Sequence, residues 1–362
     1  MKVIIAGGGT GGHLFPAVAL GEELVRERPD TEVLYVGTSA GLEARWLPAS
    51  GYRHELFDVH GIRGHGPIAR LRSMGEFIRA VRLARSLLGR FRAQLVVAAG
   101  GYASAPMAVA AALARVPIVM MEQNAVPGLA NRMLWRFARK VCVGFEDTGS
   151  YFDSPRVEVT GNPVRFKARP ERTPLEGRPL QILVLGGSSG AHRLNLGVIR
   201  AFKIWGKSVI NLRVVHQTGE GDEGLVQDAY RELPFRADVI PFIDNMAEQL
   251  QRADLVVARA GGMTVTDVAL SARPAIFVPY PFHRDRQQEL NALVLERLGG
   301  AIIVRDDDAL GENLAREMKV LLDDPGRLAA MGERAHQAAH PDAAERIAHI
   351  CFEAASAKDP RA

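Results

Sequence analysis

Short apolar runs rich in β-branched residues recur along the chain at positions 3–6, 33–36, 95–98, 117–121, 141–143 and 157–160. Between them lie alanine- and leucine-rich stretches whose apolar positions repeat at helical spacing. Strands alternating with helices predict a parallel, doubly wound α/β sheet. A second series occupies 182–185, 212–216, 239–241, 255–258, 275–278 and 301–304. The polar, proline-bearing stretch 165–179 between the two reads as a linker. The pattern therefore predicts two Rossmann-like domains, 1–163 and 164–340, facing each other across a cleft. A C-terminal helix over 341–362, with Ile347, Ile350 and Cys351 at helical spacing, is expected to pack back across the hinge.

Both series open in the same way, with a strand running into a glycine cluster and then a helix: VIIAGGGTGGH at 3–13 and ILVLGGSSGAH at 182–192. In open α/β sheets ligands bind beyond the carboxyl ends of the strands, so both clusters are candidate ligand contacts. Gly7, Gly9 and Gly12 fit the dinucleotide pattern G-x-G-x-x-G. The second strand, however, ends in Gly37-Thr38 rather than in the acid that would hold a ribose. The glycines remain useful without a dinucleotide, because they let a pyrophosphate or a sugar approach backbone N–H groups at a helix start.

His13 closes the first loop. A histidine there can take a proton from an attacking hydroxyl, or it can simply hydrogen-bond its own loop. In the second half, ARAGGMTVTD (258–267) is again a strand, two glycines and a helix start, with Thr264 and Thr266 in its first turn. Amides at that N-terminus can hold a diphosphate without a metal. Asp267, about one turn inside, either hydrogen-bonds a ribose or complements the helix dipole. In HRDRQQELN (283–291), Gln287, Gln288 and Asn291 either read sugar hydroxyls or begin a solvated helix. Asn124 and the stretch 161–165 are turn formers by composition and ligands only by position. No Asp-x-Asp pair marks a strand end for a divalent metal, and no metal or cofactor is expected.

Composition narrows the class. The 362 residues, 47% apolar and 6% aromatic, suit a soluble chain with two cores. Two cysteines, Cys142 and Cys351, make no disulfide framework. The N-terminal apolar run is too short for an export signal, and the apolar stretch 103–121 is broken by Arg115 and Pro117, so any membrane contact is expected to be peripheral. The net charge of +4 is concentrated: residues 63–92 hold eight arginines and one acid, Glu76, leaving the rest of the chain at −3. Over 68–91, Leu71, Met74, Ile78, Val81 and Leu88 fall on one helical side, with Arg72, Arg79 and Arg90 largely on the other. Such a helix is either a core-facing crossover with a solvated back or a surface for anionic lipid. Nucleic acid is not an expected partner, since no aromatic platform accompanies the charge.

Taken in order, GGGTGGHLFPA (7–17), GIRG (61–64), GGYASAP (100–106), EQNAVPG (122–128), GNPVR (161–165), GGSSGA (186–191), FIDNM (242–246), AGGMTVTD (260–267) and DRQQ-x-x-N (285–291) resemble the UDP-N-acetylglucosamine transferases of bacterial peptidoglycan synthesis, glycosyltransferase family 28, of the GT-B fold. The resemblance covers nearly the whole chain. It implies inverting transfer of GlcNAc from UDP-GlcNAc to the 4-hydroxyl of MurNAc in the undecaprenyl-pyrophosphoryl acceptor lipid I, giving lipid II. By similarity, Ile243 packs at the uracil, while Ser188, Met263, Thr264, Val265 and Thr266 meet the diphosphate. Asp267 takes the place of the ribose acid, and Gln287 and Gln288 read the GlcNAc hydroxyls. Thr10, Gly11, Gly12, Asn124 and Arg165 match further donor positions, and His13 matches the proposed general base. The chain departs from the family at Asp267, where glutamate is usual, at Met121 in place of histidine, and at Ser189 in place of glutamine. The resemblance further implies a peripheral place at the cytoplasmic face of the cell membrane, an anionic lipid surface as partner of residues 63–92, and other cell-wall synthesis or division proteins as candidate partners. The alternative is another GT-B enzyme, such as a UDP-GlcNAc 2-epimerase or a transferase with a soluble acceptor, which needs no lipid-facing patch.

Overall fold

The computed structural model describes residues 1–58, 67–166, 178–187, 190–206, 211–283 and 285–357, without the side chains of 67–72. The chain divides into two compact units, 1–167 with 340–362 and 168–339.

Among the described residues, unit 1 holds seven strands: β1 (Lys2–Ala6), β2 (Glu32–Thr38), β3 (His54–Phe57), β4 (Leu95–Ala98), β5 (Ile118–Glu122), β6 (Lys140–Val143) and β7 (Val157–Val159). They form one parallel sheet in the order β3-β2-β1-β4-β5-β6-β7. Its helices are α1 (Gly11–Glu27), α2 (Glu43–Ala49), α3 (Pro67–Phe91), α4 (Ser104–Leu113), α5 (Leu129–Leu134) and α6 (Glu146–Gly149). Unit 2 holds β8 (Leu180–Leu185), β9 (Leu212–Gln217), β10 (Arg236–Ile240), β11 (Leu255–Ala258), β12 (Ala275–Phe277) and β13 (Ala301–Ile303), parallel in the order β10-β9-β8-β11-β12-β13. Around it lie α7 (His192–Trp205), α8 (Glu223–Tyr230), α9 (Met246–Arg252), α10 (Gly262–Leu270), α11 (Gln287–Glu296), α12 (Leu310–Leu322) and α13 (Pro325–His336). The last helix, α14 (Ala343–Ser356), belongs to unit 1.

The apolar runs become central strands because both faces of a parallel sheet are covered. Val3, Ile4, Ile5 and Ala6 are all buried, and each of the valine and isoleucine side chains contributes about 1.5–3 kcal/mol of burial. One face of the first sheet packs against α3 and α4 through Ala84, Leu88, Phe91, Met107 and Ala111. The other packs against α1 and α14, with Ile347, Ala348, Ile350 and Cys351 joining Leu14, Val18 and Leu24. The edge strand β3 was absent from the apolar pattern because only Phe57 of its four residues is buried. The expected faces of α3 also change. Its buried stripe is Ala80, Ala84, Leu87, Leu88 and Phe91, while Met74 and Ile78 are exposed.

Each sheet reverses its strand order once, between β1 and β4 in the first and between β8 and β11 in the second. At such a switch point the neighbouring loops diverge and leave a crevice at the carboxyl ends of the strands. The loops after β1 and β8 are the two glycine clusters.

Candidate substrate sites at the two switch points

In unit 1 the chain leaves β1 at Ala6, turns through four residues and enters α1 at Gly11. Glu43 of α2, with no exposed surface, reaches into this turn. Its carboxylate accepts from the amides of Gly9 at 2.7 Å and Thr38 at 2.8 Å, and from the Thr38 hydroxyl at 2.7 Å. A Cβ on Gly8, Gly37 or Gly41 would collide with that carboxylate. The acid missing from the end of β2 is thus supplied from α2, but it points into the loop rather than toward a ligand. Sequence reasoning missed it because nothing in GLEARW distinguishes Glu43 from a surface helix acid.

His13 lies in the first turn of α1, half-buried, with Nδ1 3.0 Å from Oε1 of Gln123. Gly100, at φ +92°, follows β4; a Cβ there would sit 2.6 Å from His13 Nδ1, so only glycine leaves the ring its place. Thr10 is exposed, and its carbonyl opens the helix by accepting from the amides of His13 and Leu14, each at 3.2 Å. Gly11 is buried and Gly12 half-buried beside it. Asn124 sits in a turn organised by the buried carboxylate of Glu122, which accepts from the Asn124 amide (3.0 Å), the Asn124 side chain (3.2 Å), the Gly128 amide (2.9 Å) and Asn131 (2.8 Å). Arg165 is held by Glu22 of α1 at 3.3 Å, with its guanidinium 5.6 Å from the Trp46 ring. GIRG and most of 165–179 fall outside the described residues.

In unit 2 the second glycine cluster is tied by Gln217 at the end of β9. Its Oε1 accepts from the Gly187 amide (3.1 Å), and its Nε2 donates to the carbonyls of Gly187 (2.9 Å) and Pro241 (3.0 Å). Ser188 and Ser189 lie outside the described residues. His216, one residue earlier, is buried between Tyr230 and Asn195, and burial pushes it down to about 3, so it is a neutral core residue. Across the switch point, α10 starts at Gly262. The first of its amides to reach a carbonyl behind it is that of Val265, bonded to Gly261 at 3.0 Å. The amides of Gly262, Met263 and Thr264 therefore remain open along the helix axis. Val265 buries its side chain fully, and Thr266 spends its hydroxyl on the Gly262 carbonyl at 2.9 Å. The turn thus offers backbone amides and the half-buried side chains of Met263 and Thr264.

Asp267 makes no side-chain hydrogen bond among the described residues, and desolvation pushes its carboxyl up to about 7. Ile243, after β10, is buried. Gln288 accepts from the Tyr280 amide at 2.9 Å, and the Gln287 amide bonds to Asp285 at 3.2 Å at the start of α11. Asn291, one candidate sugar reader, is instead fully buried and donates to the Ala260 carbonyl at 3.0 Å, so it braces the glycine turn. Arg259, at the end of β11, is a second brace absent from the sequence reading. It pairs with the buried Asp306 at 2.7 Å and bonds to the Val278 carbonyl at 2.9 Å.

One group of potential metal ligands stands out among the described residues: Glu27, Glu345 and His349, where α1 meets α14. Fourteen residues of helix separate Glu27 from His13, about 21 Å of axis, so this group does not serve the glycine loop.

Residues 3–143 match the family model of the glycosyltransferase family 28 N-terminal domain, and residues 181–347 that of the C-terminal domain. A relative from Geobacter sulfurreducens, named UDP-N-acetylglucosamine–N-acetylmuramyl-(pentapeptide) pyrophosphoryl-undecaprenol N-acetylglucosamine transferase, is 43% identical over 352 residues, covering 96% of this chain and 97% of the relative. Among solved structures, the crystal structure of Acinetobacter baumannii MurG superposes with a TM-score of 0.77 at 30% identity, covering 97% of this chain and 99% of that one. The crystal structure of a putative UDP-N-acetylglucosamine 2-epimerase from Listeria monocytogenes, 15% identical with a TM-score of 0.69 over 96% of this chain and 94% of that one, shares the fold.

Proposed function

The chain belongs to glycosyltransferase family 28, and we infer that it moves N-acetylglucosamine from UDP-N-acetylglucosamine onto N-acetylmuramyl-(pentapeptide) pyrophosphoryl-undecaprenol, the lipid-linked acceptor in its relatives' name. The observation that carries the site assignment is the start of α10, where three amides and, one turn on, the desolvated carboxyl of Asp267 have no hydrogen-bond partner among the described residues.

That turn suits a nucleoside diphosphate. The amides of Gly262, Met263 and Thr264 and the helix dipole receive the diphosphate, and Asp267 receives the ribose hydroxyls. Ile243 offers an apolar surface for the uracil. Gln287 and Gln288 stand at the start of α11 for the sugar hydroxyls, and Ser188 adds to the diphosphate contacts. In unit 1 the Thr10–Gly12 turn, Asn124 and Arg165 are further donor contacts. His13 acts on the acceptor. Inversion needs a single in-line displacement: His13 takes the proton of the attacking 4-hydroxyl as the new glycosidic bond forms, and the bond to UDP breaks with its charge stabilised at α10. A diphosphate held this way by amides needs no resident metal.

Unit 1 also carries the features of a peripheral membrane contact. Met74, Ile78 and Leu83 are exposed on α3 beside Arg79, Arg82 and Arg85. Apolar side chains among cations suit an anionic lipid interface, which is where a polyprenyl-linked acceptor is met. Among the described residues no helix is long and apolar enough to cross a membrane.

The test incubates the protein with radiolabelled UDP-GlcNAc, a short-chain polyprenyl analogue of the acceptor and anionic vesicles, with EDTA present. Label is expected in the lipid fraction. Release of UDP without lipid label, as a hydrolase would give, or label recovered only in an epimerised UDP-sugar, overturns the reading.

A further inference from the structure

We propose that Gln123 is a positioning residue that fixes the tautomer of His13, keeping the proton on Nδ1 and the lone pair on Nε2; this rests on the reading of His13 as the base. Gln123 follows β5 directly and is 1% exposed. Its Nε2 lies 3.1 Å from the carbonyl of Ala99, and its Oε1 lies 3.0 Å from His13 Nδ1. A backbone carbonyl only accepts, so the amide nitrogen must face Ala99 and the amide oxygen must face the histidine. That oxygen also only accepts. Nδ1 must then carry the hydrogen, and in the neutral ring Nε2 is left as the acceptor.

The constraint is rigid at both ends. The Ala99 amide bonds to the Ala6 carbonyl at 2.8 Å, which anchors beside β1 the residue that carries the accepting carbonyl. The backbone carbonyl of Gln123 accepts from the buried Asn162 side chain at 3.0 Å. Gly100 completes the seat by offering no Cβ against Nδ1. A histidine free of Gln123 distributes its proton between two nitrogens, and the form protonated on Nε2 cannot accept a proton there. Catalytic histidines in other folds are oriented by a partner on the far nitrogen in the same sense.

The test is nitrogen NMR of the protein selectively labelled in histidine, read beside steady-state kinetics. The parent should show His13 with a protonated Nδ1 and an unprotonated Nε2. In Gln123→Met that pattern should be lost, and kcat should fall on the order of tenfold, less than the hundred- to ten-thousandfold that a general base supplies because the base itself remains, while KM for UDP-GlcNAc stays unchanged. Gln123→Glu keeps an acceptor at the same place and should keep the Nδ1–H form, which separates tautomer control from packing should the methionine variant fold poorly. A parent histidine protonated on Nε2, or a glutamate variant that loses the Nδ1–H form, overturns the proposal. Loss of turnover in His13→Ala together with unchanged tautomer and kcat in Gln123→Met overturns it while leaving His13 as base. The expected tautomer with full turnover in His13→Ala overturns the base reading instead.

Discussion

The first glycine loop closes around the carboxylate of Glu43, the second around the carboxamide of Gln217. Both partners satisfy a loop amide, at 2.7 Å in one case and 3.1 Å in the other. Their difference decides what else the loop can hold. A carboxylate offers acceptors alone, so the first loop has already committed its Gly9 amide to an acid of its own chain. A carboxamide brings its own donors to the loop carbonyls and adds no charge, leaving the neighbouring helix starts able to attract an anion. Two similar sequence motifs on similar strands are therefore braced differently, the first by a carboxylate and the second by a carboxamide.

The largest test removes the acid. Glu43→Ala orphans the half-buried Gly9 amide and the buried amide and hydroxyl of Thr38, and leaves a void under three glycines. At about 1–3 kcal/mol for each unsatisfied group, unit 1 should lose roughly 3–5 kcal/mol of stability. Calorimetry should show the lower-temperature transition, and an unchanged melting profile would mean that the loop does not depend on Glu43. Next, His13→Ala should lower kcat by at least about a hundredfold, near 3 kcal/mol, with donor affinity retained. A fall in UDP binding of the same size would place His13 among the donor contacts instead.

A third comparison sets the α3 surface against the rest of the chain. Replacing Arg79 and Arg82 with glutamine should cost about 2 kcal/mol of partitioning onto anionic vesicles at low salt, on the order of 1 kcal/mol per arginine. Sedimentation measures it, and equal binding by parent and variant would return α3 to a solvated crossover. Gln217→Glu then tests the loop contrast itself. By placing in the second loop the charge that the first already carries, it should weaken UDP binding about tenfold, near 1.4 kcal/mol, and also lower stability, because a carboxylate cannot donate to the Gly187 and Pro241 carbonyls. Unchanged affinity by calorimetric titration would remove charge as the distinction between the loops.

The central strands and their burial were legible because parallel strands are apolar on both faces and need no partner to be recognised. The edge strand β3 was not, since its residues alternate in exposure around a single buried Phe57. The candidate loops were legible where a glycine cluster separates a strand from a helix, as before His13 and α10. The site was illegible where a polar side chain turns inward: Glu43, Gln123, Gln217 and Asn291 have the composition of surface residues, and only tertiary contacts reveal that each holds a loop. Asn291 shows the cost of spacing alone, since helical periodicity set it beside Gln287 and Gln288 while its side chain points back to Ala260. The exposed Met74 and Ile78 show the opposite error, in which an apolar period implied a buried face.

The smallest effect concerns Asp267. Its carboxyl is pushed up to about 7 because it is desolvated and nothing among the described residues donates to it. Folding thus favours its protonated form: the stability this group contributes is fully present below its ordinary value of 3.8 and is lost as pH rises through about 7. Ribose hydroxyls donating to the ionised carboxylate would favour the opposite form, so UDP binding should release a proton below about 7. Affinity should rise about threefold between roughly pH 6.5 and 7.5 and level off above that. Asp267→Asn should flatten this dependence and bind more weakly at the upper end, where the charged acceptor is lost. Isothermal titration in buffers of different ionisation enthalpy measures the proton directly. A parent that releases none would place the ribose away from Asp267, while proton release retained in Asp267→Asn would assign it to another group.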